Sequence, residues 1–254
     1  SQSEQYSISY QAIENQYMSG DCQGAINGFK KYIENYPDGA FYISANYYLA
    51  DCLSKQSDTQ EALTAYENII SKPKNAFTEK SLLKAANINF ESKNYEGALQ
   101  KFSLLEQIAE ISNHKLQALS GAMECYFILS KYDSTIITSN KILSLEKIDE
   151  NTSEKASYLL AKSLLQNGNS GQAIEEFKKL TNAKNTEYAS EAQYTLAEIK
   201  YNAGNLEDSE KTILEITSNP SSEYWLAKAF ILWADIFKQR GNKIQAKQTL
   251  QSII

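Results

Sequence analysis

Small and apolar residues return along this chain every 36 to 38 residues. A small residue recurs at Ala25, Ala62, Ala98, Thr135, Ala173, Ser209 and Ala246. Twelve residues before each stands a second anchor: Ile13, Ala50, Ala86, Met123, Ala161, Ala197 and Ala234. The residue seven after the first anchor is always large and apolar: Tyr32, Ile69, Leu105, Ile142, Leu180, Ile216 and Ile253. The residue four after it is Phe29, Tyr66, Phe102, Ser139, Phe177, Ile213 or Leu250. Spacings of four and seven mark one buried stripe of a helix. Small anchors twelve residues apart let two helices of a pair approach closely. One helix pair cannot bury both its faces, so neighbouring pairs must stack.

The punctuation between the two helices of each pair is as regular. Five residues before the first anchor stands Gly20, Ser57, Lys93, Ser130, Gly168, Gly204 or Gly241. The next residue is Asp21, Asp58, Asn94, Lys131, Asn169, Asn205 or Asn242. A glycine-like stop followed by Asp or Asn ends one helix and caps the next. The pattern predicts first helices (helix A) near 6–18, 40–55, 77–92, 114–129, 152–166, 187–202 and 223–239. Second helices (helix B) fall near 22–35, 59–71, 96–109, 133–145, 170–181, 206–218 and 243–254. Pro37, Pro73 and Pro220 each follow a helix B and stop it. The chain reads as all-α and as one domain, with repeats at about 6–37, 40–73, 76–110, 114–146, 152–182, 187–219 and 223–254. The fourth repeat has the weakest anchors: Met123, Thr135 and Ser139. Ser1 is not an initiator Met and the last helix B runs to Ile254, so a fragment of a longer chain is expected.

This pattern resembles the tetratricopeptide repeat. The stretch from Gly20 to Pro37, with Ala25, Phe29 and Pro37, carries the resemblance, as does Tyr48-Leu49-Ala50-Asp51-Cys52. The period is two to four residues longer than the family's usual 34. The resemblance implies a right-handed superhelical solenoid of seven antiparallel helix pairs, fourteen helices in all. It also implies that ligands lie along a concave face lined by helix A. Carried over by register, that face holds Tyr10, Glu14, Tyr17, Tyr47, Asp51, Phe90, Glu124, Phe127, Tyr158, Tyr194, Glu198, Tyr201 and Asp235. An aromatic, acidic groove suits a protein or peptide segment with basic and apolar residues. The same tyrosines also suit plain packing between neighbouring helices. The expected function is a protein–protein interaction scaffold. The alternative is a docking or regulatory part of a larger protein whose catalytic or membrane part lies elsewhere. Long repeats with Ile-Glu-Asn-Tyr-Pro ends resemble bacterial cell-envelope members, which favours a periplasmic or outer-membrane-associated place over the cytoplasm.

Composition narrows the partners. The net charge is −6 and the pI about 5.1, a poor match for nucleic acid or an anionic membrane surface. Arg240 is the sole arginine, so bidentate carboxylate or phosphate clamps are not expected. No apolar run is long enough to insert in a membrane. Cys22, Cys52 and Cys125 are odd in number, far apart and without a CxxC, so neither a disulfide framework nor a zinc knuckle can be read from them. Each is expected to fill a buried or half-buried helix position. His114 is the single histidine and is expected to be exposed or capping. Thr152 or Ser153 is expected to cap the helix that follows the acidic stretch 149–154. No catalytic motif, metal motif or cofactor loop is present, so no enzyme, metal or cofactor is expected.

Overall fold

The computed structural model describes residues 2–253, with side chains from Tyr6 onward. Fourteen helices, and no strand, occupy the described residues. They are α1 (Gln2–Met18), α2 (Cys22–Asn35), α3 (Tyr42–Lys55), α4 (Thr59–Ile70), α5 (Thr78–Glu91), α6 (Tyr95–Ile108) and α7 (Ser112–Ile128). There follow α8 (Tyr132–Leu143), α9 (Glu150–Gln166), α10 (Ser170–Leu180), α11 (Thr186–Asn202), α12 (Leu206–Ser218), α13 (Glu223–Gln239) and α14 (Lys243–Gln251). Odd-numbered helices are the helix A of each pair and even-numbered ones the helix B. Except at the start of α1 and the end of α14, every boundary lies within two residues of the sequence expectation. Ile254, placed by the pattern in the last helix, lies outside the described residues. None of the described helices is long and apolar enough to cross a membrane.

The turns set the helix boundaries. All seven turn residues, from Gly20 to Gly241, have φ between 57° and 85°. In six of the turns the two N–H groups that follow the helix bond back into its last turn. Gly20 N–H donates to the Tyr17 carbonyl at 3.0 Å and Asp21 N–H to the Gln16 carbonyl at 2.9 Å. The same pair of bonds recurs after Ser57, Lys93, Gly168, Gly204 and Gly241. This left-handed stop satisfies carbonyls that the helix end would leave unpaired. Asp21, Asp58, Asn94 and Asn242 then cap the next helix through their side chains. The acidic stretch departs from expectation: Asp149, not Thr152 or Ser153, caps α9. Its carboxylate accepts the Thr152 N–H at 2.9 Å and the Thr152 hydroxyl at 2.6 Å. Asp149 reaches these donors because it sits in the extended position just before the helix.

The chain divides into two compact units, residues 1–129 and 130–254. In unit 1, α1 to α7 each pack on the next helix in the chain, with α1 also against α3 and α5 against α7. Unit 2 repeats this from α8 to α14, with α11 also against α13. The anchors are the contact points: Ala25, Ala50, Ala62, Ala86 and Ala98 in unit 1 and Ala161, Ala173 and Ala197 in unit 2 have no exposed surface. Where a residue at these contacts is large, the one facing it is reduced. A Cβ on Gly28 would lie 2.8 Å from Ile13, and one on Gly121 would collide with the Phe102 ring.

Two expectations are corrected. Leu250 and Ile253 continue the apolar stripe but are 45% and 37% exposed, whereas Phe29, Tyr66, Phe177 and Ile213 at the first of these positions are at most 1% exposed. Burial of this stripe requires a helix packed over it, and none of the described helices covers the last one. The second correction concerns the cysteines. Cys52 and Cys125 are buried and Cys22 half-buried, as helix positions should be. Yet Cys22 and Cys52 are joined in a disulfide between α2 and α3, with α-carbons 5.2 Å apart. Stacking of neighbouring pairs brings together two positions that are 30 residues apart in the chain.

Candidate functional site

In unit 1 the face made by α1, α3, α5 and α7 carries eight of the expected site residues. Tyr10 is nearly buried, stacked on Phe41 at 4.3 Å. Its hydroxyl donates to Ser44 Oγ at 2.7 Å and lies 3.3 Å from Glu14 Oε1. Tyr17 stacks on Tyr48 at 4.5 Å and donates to Asp51 Oδ2 at 3.0 Å. Lys55 Nζ lies 2.7 Å from that same oxygen and 5.5 Å from the Tyr17 ring centre. Tyr47 is half-buried against Phe77. Burial is the main cause holding the hydroxyls of Tyr10, Tyr17 and Tyr47 above the usual tyrosine range, with nearby carboxylates adding to it. Phe90 meets Tyr95 edge-on at 5.3 Å, and Glu124 and Phe127 are half-buried on α7.

In unit 2 the corresponding face is built by α9, α11 and α13. Tyr158 stacks on Tyr188 at 4.3 Å and donates to Glu191 Oε2 at 2.6 Å. Lys162 completes a triangle, donating to the Tyr158 hydroxyl at 2.9 Å and to Glu191 Oε1 at 2.8 Å. Tyr194 donates to Glu198 Oε1 at 3.0 Å, packs on Trp225 at 5.3 Å and lies under Lys228 Nζ at 5.4 Å. Burial first, and then the charge of Glu198, hold its hydroxyl above the usual range; Asp235 adds to this. Tyr201 accepts from Gln239 Nε2 at 2.9 Å. A cleft of about 210 Å³ opens on this face, lined among others by Lys162, Glu191, Tyr194, Glu198, Trp225 and Lys228.

The structure thus brings Tyr10 with Glu14, Tyr17 with Asp51, and Tyr194 with Glu198 and Asp235. Several of these tyrosines also stitch one helix A to the next. Tyr10 to Ser44, Tyr17 to Asp51 and Tyr158 to Glu191 span 33 or 34 residues, one repeat less about one helical turn. The face is therefore less acidic than its positions alone suggest, since Lys55, Lys162 and Lys228 share it. Ser44, Glu191, Trp225 and Lys228 escaped the sequence reading. The signal for two of them exists: Ser44 and Glu191 lie three residues before Tyr47 and Tyr194 on their own helices, and so share the tyrosine's face.

A second set of contacts ties helix A to the loop that precedes the next helix A. Glu79, 8% exposed, accepts the Glu110 N–H at 2.8 Å and pairs with His114 Nδ1 at 2.8 Å. Glu154 occupies the same register in unit 2 and accepts the N–H groups of Lys184 and Asn185 at 2.6 and 3.1 Å. His114 is therefore neither exposed nor capping. It is half-buried against a carboxylate from α5, because the Glu79 side chain reaches across the junction between pairs. Burial pushes the Glu79 carboxyl up, but its bonds with Glu110, His114 and Ile111 outweigh this and hold it below the usual carboxylate range. Among the described residues no group of His, Cys, Asp or Glu is arranged to hold a metal ion.

Comparison with known proteins agrees with this architecture. Residues 1–120 match the tetratricopeptide repeat-like domain and residues 158–223 match the tetratricopeptide repeat. No curated protein matches. Among solved structures, a tetratricopeptide repeat protein from Parabacteroides merdae is 20% identical, covering 100% of this chain and 93% of its own, with a TM-score of 0.55. The C-terminal part of a repeat-containing protein from Cytophaga hutchinsonii is 14% identical, covering 96% and 93%, with a TM-score of 0.66. YrrB, described as a tetratricopeptide repeat protein with an unusual peptide-binding site, is 16% identical, covering 78% and 95%, with a TM-score of 0.57. These likenesses concern the fold. With its two family matches and its repeating helix pairs, the chain belongs to the tetratricopeptide repeat proteins.

Proposed function

We propose that this protein is a non-catalytic scaffold that binds a protein or peptide segment along the concave helix-A faces of its repeats. The fold is one generally used for protein interaction. The observation that carries the reading is the cleft of about 210 Å³ in unit 2, where the Tyr194 and Trp225 rings meet carboxylates and lysines. Aromatic rings supply contact area at low entropic cost, and the charged rim selects what sits beside them. YrrB, a relative in fold, is described as having a peptide-binding site. The ligand proposed is an extended or helical segment with apolar anchors and basic residues, the latter facing Glu14, Asp51 and Glu124 in unit 1 and Glu198 and Asp235 in unit 2. The bacterial, cell-envelope setting belongs to the same proposal.

A library of apolar peptides in basic and charge-reversed versions tests the chemistry. Basic members should bind more tightly, and the preference should shrink on Glu198→Gln. Equal binding of the two charge classes would remove the basic-ligand part of the proposal.

A further inference from the structure

The first junction of unit 1 holds a chemistry that peptide binding does not use. Cys22 opens α2 and is half-buried, whereas Cys52, in the last turn of α3, has no exposed surface. The third cysteine, Cys125, is fully buried in α7, and burial, aided by the charge of Glu124, pushes its thiol up to about 12. At neutral pH Cys125 is a protonated thiol without access to solvent, so it neither attacks nor is attacked. The odd number of cysteines therefore resolves into one bonded pair and one inert residue.

We propose that Cys22–Cys52 is an oxidative modification site, closed when the chain matures in an oxidising compartment, with Cys22 as the sulfur through which exchange enters. Structural disulfides persist in such compartments and are rare where thiols are kept reduced. The oxidant is a second disulfide, carried by an oxidoreductase or by oxidised glutathione. The Cys22 thiolate attacks one of its sulfurs, expels a thiolate and forms a mixed disulfide. Cys52 loses its proton, attacks the Cys22 sulfur and expels the second thiolate. The chain loses two electrons and two protons, and the oxidant gains them as two thiols. Reduction reverses these steps, again beginning at Cys22, because Cys52 is sealed from solvent.

The bond acts as a clip. It joins α2 to α3 close in sequence to the Tyr17–Asp51 bond and the Gln56–Gln23 bond at 3.1 Å. The alignment of α2 with α3 is thereby fixed covalently, and α1, which packs on both, carries the Tyr10–Tyr17 part of the helix-A face. The bond and its clipping effect do not depend on the identity of any ligand.

The test uses the full chain exported to an oxidising compartment and quenched with N-ethylmaleimide at lysis. Denatured under non-reducing conditions, it should gain one alkyl group, and three after reduction. Three groups before reduction would overturn the proposal. Brief mild reduction of the native protein followed by substoichiometric maleimide should label Cys22 ahead of Cys52; the opposite order would overturn the entry point. Amide exchange in residues 6–35 should accelerate at least about tenfold on reduction, with residues 150–239 unchanged. Cys22→Ser should match the reduced protein and Cys125→Ser the oxidised one. Unchanged exchange in residues 6–35 on reduction of the wild type would overturn the clip, whatever the variants do.

Discussion

The two units fill the same register with different chemistry. In unit 1 the helix-A face is held by stacked rings, Tyr10 on Phe41 and Tyr17 on Tyr48, and a covalent bond joins α2 to α3. In unit 2 Tyr158 stacks on Tyr188 in the same register, but charge is added: Lys162 and Glu191 close around the Tyr158 hydroxyl, and elsewhere in the unit Arg240 pairs with Glu210, which also accepts from the Trp233 indole N–H. The turns differ too. Unit 1 uses Ser57 and Lys93 at two of its three left-handed stops, whereas unit 2 uses Ser130 at one and Gly168, Gly204 and Gly241 at the other three. A side chain in that conformation costs roughly 1–2 kcal/mol. Unit 1 therefore carries two such costs and unit 2 one; both use packing and ion pairs, and unit 1 adds a disulfide. The repeat prescribes where a contact must be made and leaves open what kind of contact it is.

The largest effects should come from the ring positions. Phe29 in unit 1 and Phe177 in unit 2 are 0% and 1% exposed and sit four residues after their anchors. Replacing either with Ala should cost about 3–5 kcal/mol, read as faster amide exchange confined to its own unit. The comparison is sharper when both variants are measured with and without reductant. Phe29→Ala should worsen markedly on reduction, and Phe177→Ala should not change. Equal sensitivity to reductant would break the contrast between the units.

A smaller effect is expected at Glu79. Its folded carboxyl lies below its unfolded value, so its contribution is present above the unfolded pKa and is lost as pH falls through the folded one. Glu79→Gln should cost about 1–3 kcal/mol at neutral pH and flatten the acid limb of unit 1's stability curve. Exchange in α5 to α7 against pH reads both. An unaltered acid limb in the variant would show that other carboxylates set it.

Most of the fold is legible because its signals are local. A left-handed stop, an Asp or Asn cap and small anchors twelve residues apart lie within one pair, and each is decided by the backbone around it. Ala25, Ala62 and Ala173 are buried where the period puts them. What escapes the sequence depends on the neighbouring pair. Cys22 lies three residues before a helix-B anchor and Cys52 two after a helix-A anchor, so nothing in either register announces that they face each other. Glu79 and His114 meet only because the Glu79 side chain on α5 reaches the start of α7, in the next pair. Leu250 and Ile253 carry the right residue types, but their burial depends on a covering helix that no residue in α14 specifies. Register alone marks the candidate face, and in the structure several of its tyrosines are partners of the next helix as well as surface.

The central claim, that the helix-A faces grip the partner, is tested most directly by placing a photo-crosslinking amino acid at two exposed isoleucines of unit 2. Ile231 lies on the helix-A face of α13 and is 46% exposed; Ile137 lies on α8, a helix B, and is 68% exposed. With the bound partner irradiated and the adducts mapped by mass spectrometry, the account predicts cross-links from position 231 and none from position 137. Cross-links from position 137 alone would contradict it and move the gripping surface to the helix-B side.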